Sequence, residues 1–196
     1  PNHLAFSNIN ANISLKALNK DSVNLHIKRF DFKEHSGFTL KGLEAHMTGN
    51  KRGIHLQDFK LNLPQSHLSL NELKMDFQND SIPFRNFIMN GGLAKDSHLT
   101  PSDIASFIPA LSNFNSKLNL SIPQINASQR HAEVMSFKIS SPQQEVNLEM
   151  TDIGIYFTGE TPYVKAVLKN ASINANGLEF LLKNLGKENE LPTNLH

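Results

Sequence analysis

The chain contains no cysteine. This removes a disulfide framework, a cysteine-ligated zinc and a thiol nucleophile together, and it fits a periplasmic or a cytosolic protein equally well. Tryptophan is also absent and tyrosine occurs twice, a poor supply for a sugar-binding surface built on aromatic platforms. No apolar run approaches the roughly 20 residues of a membrane helix. The first ten residues, PNHLAFSNIN, carry neither a charged n-region nor an apolar h-region. Lys and Arg number 19 against 18 Asp and Glu, a net charge of +1 with no basic run. Duplex nucleic acid, which needs a concentrated basic face, is therefore a poor match. SGF and NGG are too short to cradle phosphate, and neither a Walker-type loop nor a G-x-S-x-G elbow occurs. The opening on Pro1 and the ending KENELPTNLH read as those of a piece cut from a longer chain.

What is present is a repeat. Residues 54–63, IHLQDFKLNL, alternate apolar and polar, place two polar residues together at Gln57 and Asp58, and then resume. The pattern is Φ-x-Φ-x-x-Φ-x-Φ-x-Φ. It recurs from Leu4, Leu25, Phe38, Leu68 and Ile82, and in full from Leu148. Looser versions begin at Leu120, Ala132 and Ala166. Period-two alternation is the signature of a strand, and self-similarity on this scale marks a repeat architecture. The doubled polar step shifts the phase by one residue, which in a flat strand would turn the remaining apolar residues to the other face. A β-bulge or sharp bend absorbs the extra residue. Bends at matching places would crease the sheet into a trough with an apolar inside.

The links PQSH, TGNKRG and QNDS are short and rich in turn residues, which suits antiparallel neighbours. The expected fold class is mainly β: a bent antiparallel sheet with two short capping helices. Residues 1–98 form a meander-like repeat region, 99–111 a short helix, 112–175 a second repeat region, 176–186 a C-terminal helix and 187–196 a tail, all in one continuous domain. For the first helix, Thr100 is the expected N-cap with Pro101 at the first position and Asp103 in the first turn. Ile104, Phe107, Ile108 and Leu111 make its apolar stripe, and Pro109 should kink or end it. In the second helix Leu178, Leu181, Leu182 and Leu185 share a face, with Gly186 as the C-terminal cap. Either helix could plug the open side of a creased sheet.

Repeated strands of this form, in chains rich in Asn, Ser and Gly, resemble the AsmA-like and TamB proteins of Gram-negative envelopes. The stretch DFKEHSGFTLKGLEAHMTGNKRGIHLQDFKLNLPQSHLSLNELKMDF, followed by HLTPSDIASFIPAL, is similar to TamB-like proteins of the Bacteroidetes in particular. The resemblance covers residues 20–125 best. It implies a periplasmic protein anchored in the inner membrane by one N-terminal helix, with strands forming an elongated β-taco. It also implies phospholipid transfer between membranes, outer-membrane protein assembly with a barrel partner, and no catalysis or cofactor. This chain would supply an internal stretch of groove.

On that reading the groove is lined by Leu40, Leu43, Ile54, Leu56, Phe59, Leu61, Leu63, Leu68, Leu70, Leu73, Met75 and Phe77, with phospholipid acyl chains as the partner. The stripe Ile104, Phe107, Ile108 and Leu111 would act as a plug. The alternative is a closed β-repeat, structural or adhesin-like, with the same residues sealed as an ordinary core and no lipid. His46 and His55 should face each other across the hairpin near Asn50–Lys51, with His67 one link away. All three occupy polar slots and read as solvated rather than metal-ligating. Asp58, Glu72 and Asp152 recur at or beside the bend, where a short polar side chain can satisfy local backbone groups. Nothing in the spacing singles out a paired-carboxylate cleft. Lys28, Arg29, Lys33, Lys41, Lys51, Arg52 and Lys60 read as an outer solvated face.

Overall fold

The computed structural model describes residues 5–19, 21–78, 87–143, 145–157 and 163–186. They form one antiparallel sheet and one α-helix. The strands are β1 (Phe6–Asn19), β2 (Ser22–Glu34), β3 (Thr39–Asn50), β4 (Gly53–Asn62), β5 (His67–Phe77) and β6 (Phe87–Leu93), then β7 (His98–Leu99), β8 (Leu118–Ser121), β9 (Ile125–Ser128), β10 (His131–Ser140), β11 (Val146–Tyr156) and β12 (Tyr163–Ile173). The main path runs β1-β2-β3-β4-β5-β6-β9-β10-β11-β12, while β7 and β8 bridge β5 to β10 along one side. The first six strands are a meander, as the short links require. The repeat region before residue 98 joins the one after residue 112 through the β6–β9 ladder, where Met89 lies opposite Ala127.

The ladders slip at most of the doubled polar steps, and once outside them, at Lys16 in β1. Register shifts fall between Ile27 and Phe30 in β2, and between Leu70 and Glu72 in β5. Opposite β3, Gln57 pairs with His46 and Lys60 with Glu44, so Asp58 and Phe59 share one partner position. In the looser repeat from Leu120 the step contains Pro123, which has no N–H to give the ladder, and the strand divides there into β8 and β9. The repeat beginning at Ile82 lies outside the described residues as far as Asn86.

The backbone explains the residue chosen for the step. Asn8, Asp58 and Asp152 stand at the same repeat position, the second polar residue, and have φ of 53°, 53° and 51°. Asn and Asp enter this left-handed region more readily than other non-glycine residues, and a β-branched side chain there is strongly strained. Asp58→Val should therefore lower stability by about 1–2 kcal/mol. Asp58→Gly should stay within about 1 kcal/mol of the parent, because glycine takes this conformation freely. Urea unfolding of both variants checks this, and equal losses would contradict it.

The α-helix, α1 (Ala175–Asn184), begins one residue before the expected start. Asn174 caps it by accepting from the Gly177 N–H at 2.8 Å, and Gly186 ends it at φ 70°. The other expected helix is not α-helical. Residues 98–99 pair as β7, and two 3-10 turns follow at Pro101–Ile104 and Pro109–Leu111. Pro109 is the reason: it disfavours the helical region for the residue before it, and Ile108 stands outside that region, with φ −131° and ψ 84°. Thr100 precedes the first turn without a side-chain capping bond.

This irregular segment is instead held by hydroxyls. Thr100 N–H donates to Ser66 Oγ at 2.9 Å, and Ser66 Oγ donates to Asp103 Oδ2 at 2.6 Å. Ser69 N–H donates to Ser97 Oγ at 3.1 Å, and that hydroxyl returns a bond to the Ser69 carbonyl. The contacts clip residues 97–103 onto the β4–β5 hairpin. The β2–β3, β4–β5 and β10–β11 turns lie at this same end of the sheet, and α1 follows the end of β12 here. The buried side chains of Leu40, Leu63, Pro101, Phe114 and Leu118 belong to it, whereas Ala45, also buried, lies at the bulge of β3.

Candidate functional site: an unbroken apolar face

Following partners from ladder to ladder traces rows across the whole sheet. One row runs Leu18, Val23, Gly49, Ile54, Met75, Met89, Ala127, Ala132, Ile155, Val164. It has one residue from each of the ten strands of the main path, and none is polar. The next apolar row runs Leu15, Leu25, Met47, Leu56, Leu73, Gly91, Ile125, Val134, Ile153, across nine strands. Between them lies the row Ala17, Asn24, Thr48, His55, Lys74, Asn90, Asn126, Glu133, Gly154, Lys165. Successive residues of a strand point to opposite faces, so the sheet has one greasy face and one hydrated face. The nine inter-strand steps of the first row, at about 4.8 Å each, make an apolar track roughly 43 Å long.

The expected groove residues lie along this face. Leu43 is opposite Leu61, which is opposite Leu68; Ile54 is opposite Met75, and Leu56 opposite Leu73. Phe77 pairs with Phe87 and Leu70 with Leu93. Of the twelve, Leu40 and Leu63 are buried, and the other ten, Phe59 included, are half-buried. That intermediate state is informative. A sheet face covered by a second layer would hide such residues, whereas a flat exposed one would bare them.

The expected plug is corrected. Ile104 and Leu111 are half-buried, but Phe107 is 66 % and Ile108 48 % exposed. Splitting the segment into two 3-10 turns scatters the stripe a helix would have aligned. Phe107 meets the ring of Phe38, with centroids 5.1 Å apart. The buried ring of this segment is instead Phe114, which meets Phe180 of α1 at 5.8 Å. Neither ring lies in a helical stripe of the sequence, although Phe114 stands out as an aromatic amid Asn and Ser.

The polar candidates stay local. His46 does not face His55. The Asn50–Gly53 pairing puts His46 opposite Gln57 and His55 opposite Thr48. His46 instead neighbours His26, with ring centroids 5.3 Å apart, and His55 reaches Glu72 at 3.2 Å. No group of three potential metal ligands occurs among the described residues. Glu72 also bonds Lys74, whose ammonium is the main reason its carboxyl is held below the ordinary range, with His55 adding to it. The Ser69 hydroxyl, chiefly, lowers Asp96, and the Asn10 amide followed by Arg29 lowers Asp31. Asp58 and Asp152 serve the bulge by their backbone conformation. The seven cations named above are exposed. Both tyrosines, thinly supplied as they are, stack with each other at 4.8 Å, and His131 lies on Tyr156 at 6.2 Å. The signal for this was their position at either end of the β11–β12 link.

Comparison with family models, with curated proteins and with solved structures finds no match. Among the described residues no helix is long and apolar enough to cross a membrane.

Proposed function

We propose that this chain is a non-catalytic segment of an AsmA/TamB-like envelope protein, and that its apolar face is a track for phospholipid acyl chains in the periplasm. The supporting observation is the ten-residue row from Leu18 to Val164, apolar on every strand of the main path. One leaflet of a bilayer core is about 15 Å deep, half of a roughly 30 Å hydrocarbon thickness. An acyl chain of that reach fits along the track with length to spare. Burial of apolar surface would hold it at about 25 cal/mol per Å². Because the row offers similar side chains at each step, no position would retain the chain strongly, and it could slide. The headgroup would remain in water, and the direction of movement would come from a gradient or from other parts of the parent protein. An outer-membrane barrel partner belongs to that parent, as the resemblance implies.

The test is native mass spectrometry of the gently purified chain with identification of any extracted lipid. The wild type should carry phospholipid, and Leu61→Asp/Leu70→Asp should lose most of it while keeping its β-sheet circular dichroism. An outer-face control, Lys74→Gln, should retain it. A well-folded wild type with no lipid would overturn the proposal in favour of a closed structural or adhesin-like module.

A further inference from the structure

Two histidines of the hydrated face stand side by side. His26 of β2 lies directly opposite His46 of β3, with ring centroids 5.3 Å apart and planes tilted by 38°. Their strand neighbours Leu25 and Met47 belong to an apolar row, so alternation turns both imidazoles to the other face. Both are half-buried. Among the described residues neither ring makes a hydrogen bond or an ion pair. The other adjacent pair, His67 and His98, differs in spacing and in partners. Its centroids are 6.0 Å apart, His67 meets Asn62 Oδ1 and Asp96 Oδ2, and His98 Nδ1 meets the Asp96 carbonyl.

The separation selects a chemistry. Neutral imidazole is a ligand for zinc and other transition metals. A zinc–nitrogen bond of about 2.0–2.1 Å puts each ring centre about 3.2 Å from the ion, and two rings at the tetrahedral angle then stand roughly 5.2 Å apart. Neighbouring corners of a square plane would need about 4.5 Å. We propose that His26 and His46 form a two-imidazole zinc clasp across β2 and β3, with water at the remaining positions of the ion. Neither ring is tied to another group, so rotation about χ2 aims one nitrogen of each at the shared point. Two ligands held on adjacent strands act as one chelate: once the first has bound, the second meets the ion at high effective concentration. No third histidine or carboxylate completes the group among the described residues, so the ion exchanges with solvent. Ser14 opposite His26 and Gln57 opposite His46 are neutral, and Glu44, two residues along β3, is paired with Lys60 at 3.7 Å. The β2–β3 register slips between Ile27 and Phe30, and the β3–β4 register between Glu44 and His46. A metal at His26 and His46 fastens the strands beside that interruption. It lies on the face away from the apolar track and does not depend on what the track holds.

The experiment is a zinc chloride titration of the isotope-labelled chain, read by NMR of the histidine rings. In the wild type the first equivalent should shift the His26 and His46 rings together, ahead of the other histidines. Calorimetry should give an affinity that falls about tenfold or more in His26→Gln and in His46→Gln, and stays within about twofold in His67→Gln/His98→Gln. Zinc should raise the thermal midpoint of the wild type and of that control, and leave both single variants unmoved. Zinc that shifts all the histidines alike, or His67 and His98 first, would overturn the inference without any variant. An unchanged affinity in either single variant that keeps its β-sheet circular dichroism would also overturn it.

Discussion

Phe114→Ala should cost about 3–5 kcal/mol of stability, the usual range for emptying a buried aromatic site. Phe114 is 6 % exposed and meets Phe180 of α1 edge-on. Its own backbone closes the irregular segment, since Ser102 N–H donates to its carbonyl at 3.0 Å and its N–H donates to the Leu111 carbonyl at 2.9 Å. Two residues on, Ser116 N–H is received by the Asn184 side chain at 3.1 Å. One ring thus joins the 3-10 turns, the approach to β8 and the helix. Its removal leaves a void whose walls come from three separate stretches of chain. Urea unfolding should show the loss, and trypsin should cut at Lys183 faster than in the parent. Phe107→Ala, at an exposed ring, should cost less than about 1 kcal/mol. Equal costs for the two would contradict this account of what closes that end of the sheet.

Gly92→Ala should be the most damaging change at the junction of the two repeat regions. A methyl group on Gly92 would lie 2.2 Å from the Pro123 carbonyl oxygen, 2.7 Å from its carbon and 3.1 Å from the Ile122 oxygen. All three are main-chain atoms and cannot rotate away. The adjacent Leu93 N–H donates to the Ile122 carbonyl at 2.8 Å, so separating the chains also weakens the bond that seats residues 121–124 on β6. The expected cost is near the upper end of the roughly 1–3 kcal/mol typical of overpacking. Gly42→Ala is the control in the same sheet. Its added methyl would meet only the Asn62 side chain at 3.6 Å, and its thermal midpoint should stay near that of the parent. A Gly92→Ala protein that melts with the Gly42→Ala protein would show that the junction is not packed as described.

The sheet was legible in the sequence because its signal is local. Alternation over ten residues decides a strand, and a doubled polar step such as Gln57–Asp58 decides where the phase must be repaired. The bulge at that step is the only way to keep Ile54, Leu56, Phe59 and Leu61 in one apolar set. The left-handed conformation at Asn8, Asp58 and Asp152 was legible in principle, since only Asn or Asp stands there in those three repeats, but it needs backbone geometry to be seen. The hairpin register at His46 and His55 depends on which residues form the turn, and a shift of the turn centre moves the partner of every residue. The segment 99–111 misled for a related reason. Ile104, Phe107, Ile108 and Leu111 have helical spacing, yet Pro109 keeps Ile108 out of the helical region, and the Ser66 hydroxyl takes the Thr100 N–H. Such long-range bonds leave no periodic trace. The closing pair, Phe114 and Phe180, is 66 residues apart in sequence and equally silent.

The most direct test of the central claim uses two neighbouring residues. Met75 belongs to the apolar row and Lys74 to the polar one, on opposite faces of β5. A photoreactive phenylalanine analogue would be placed at each position in turn and irradiated in envelopes, and adducts would be sought by mass spectrometry. The account predicts phospholipid adducts at position 75 and few or none at position 74. Equal labelling at both, or none at position 75 in a folded protein, would contradict it.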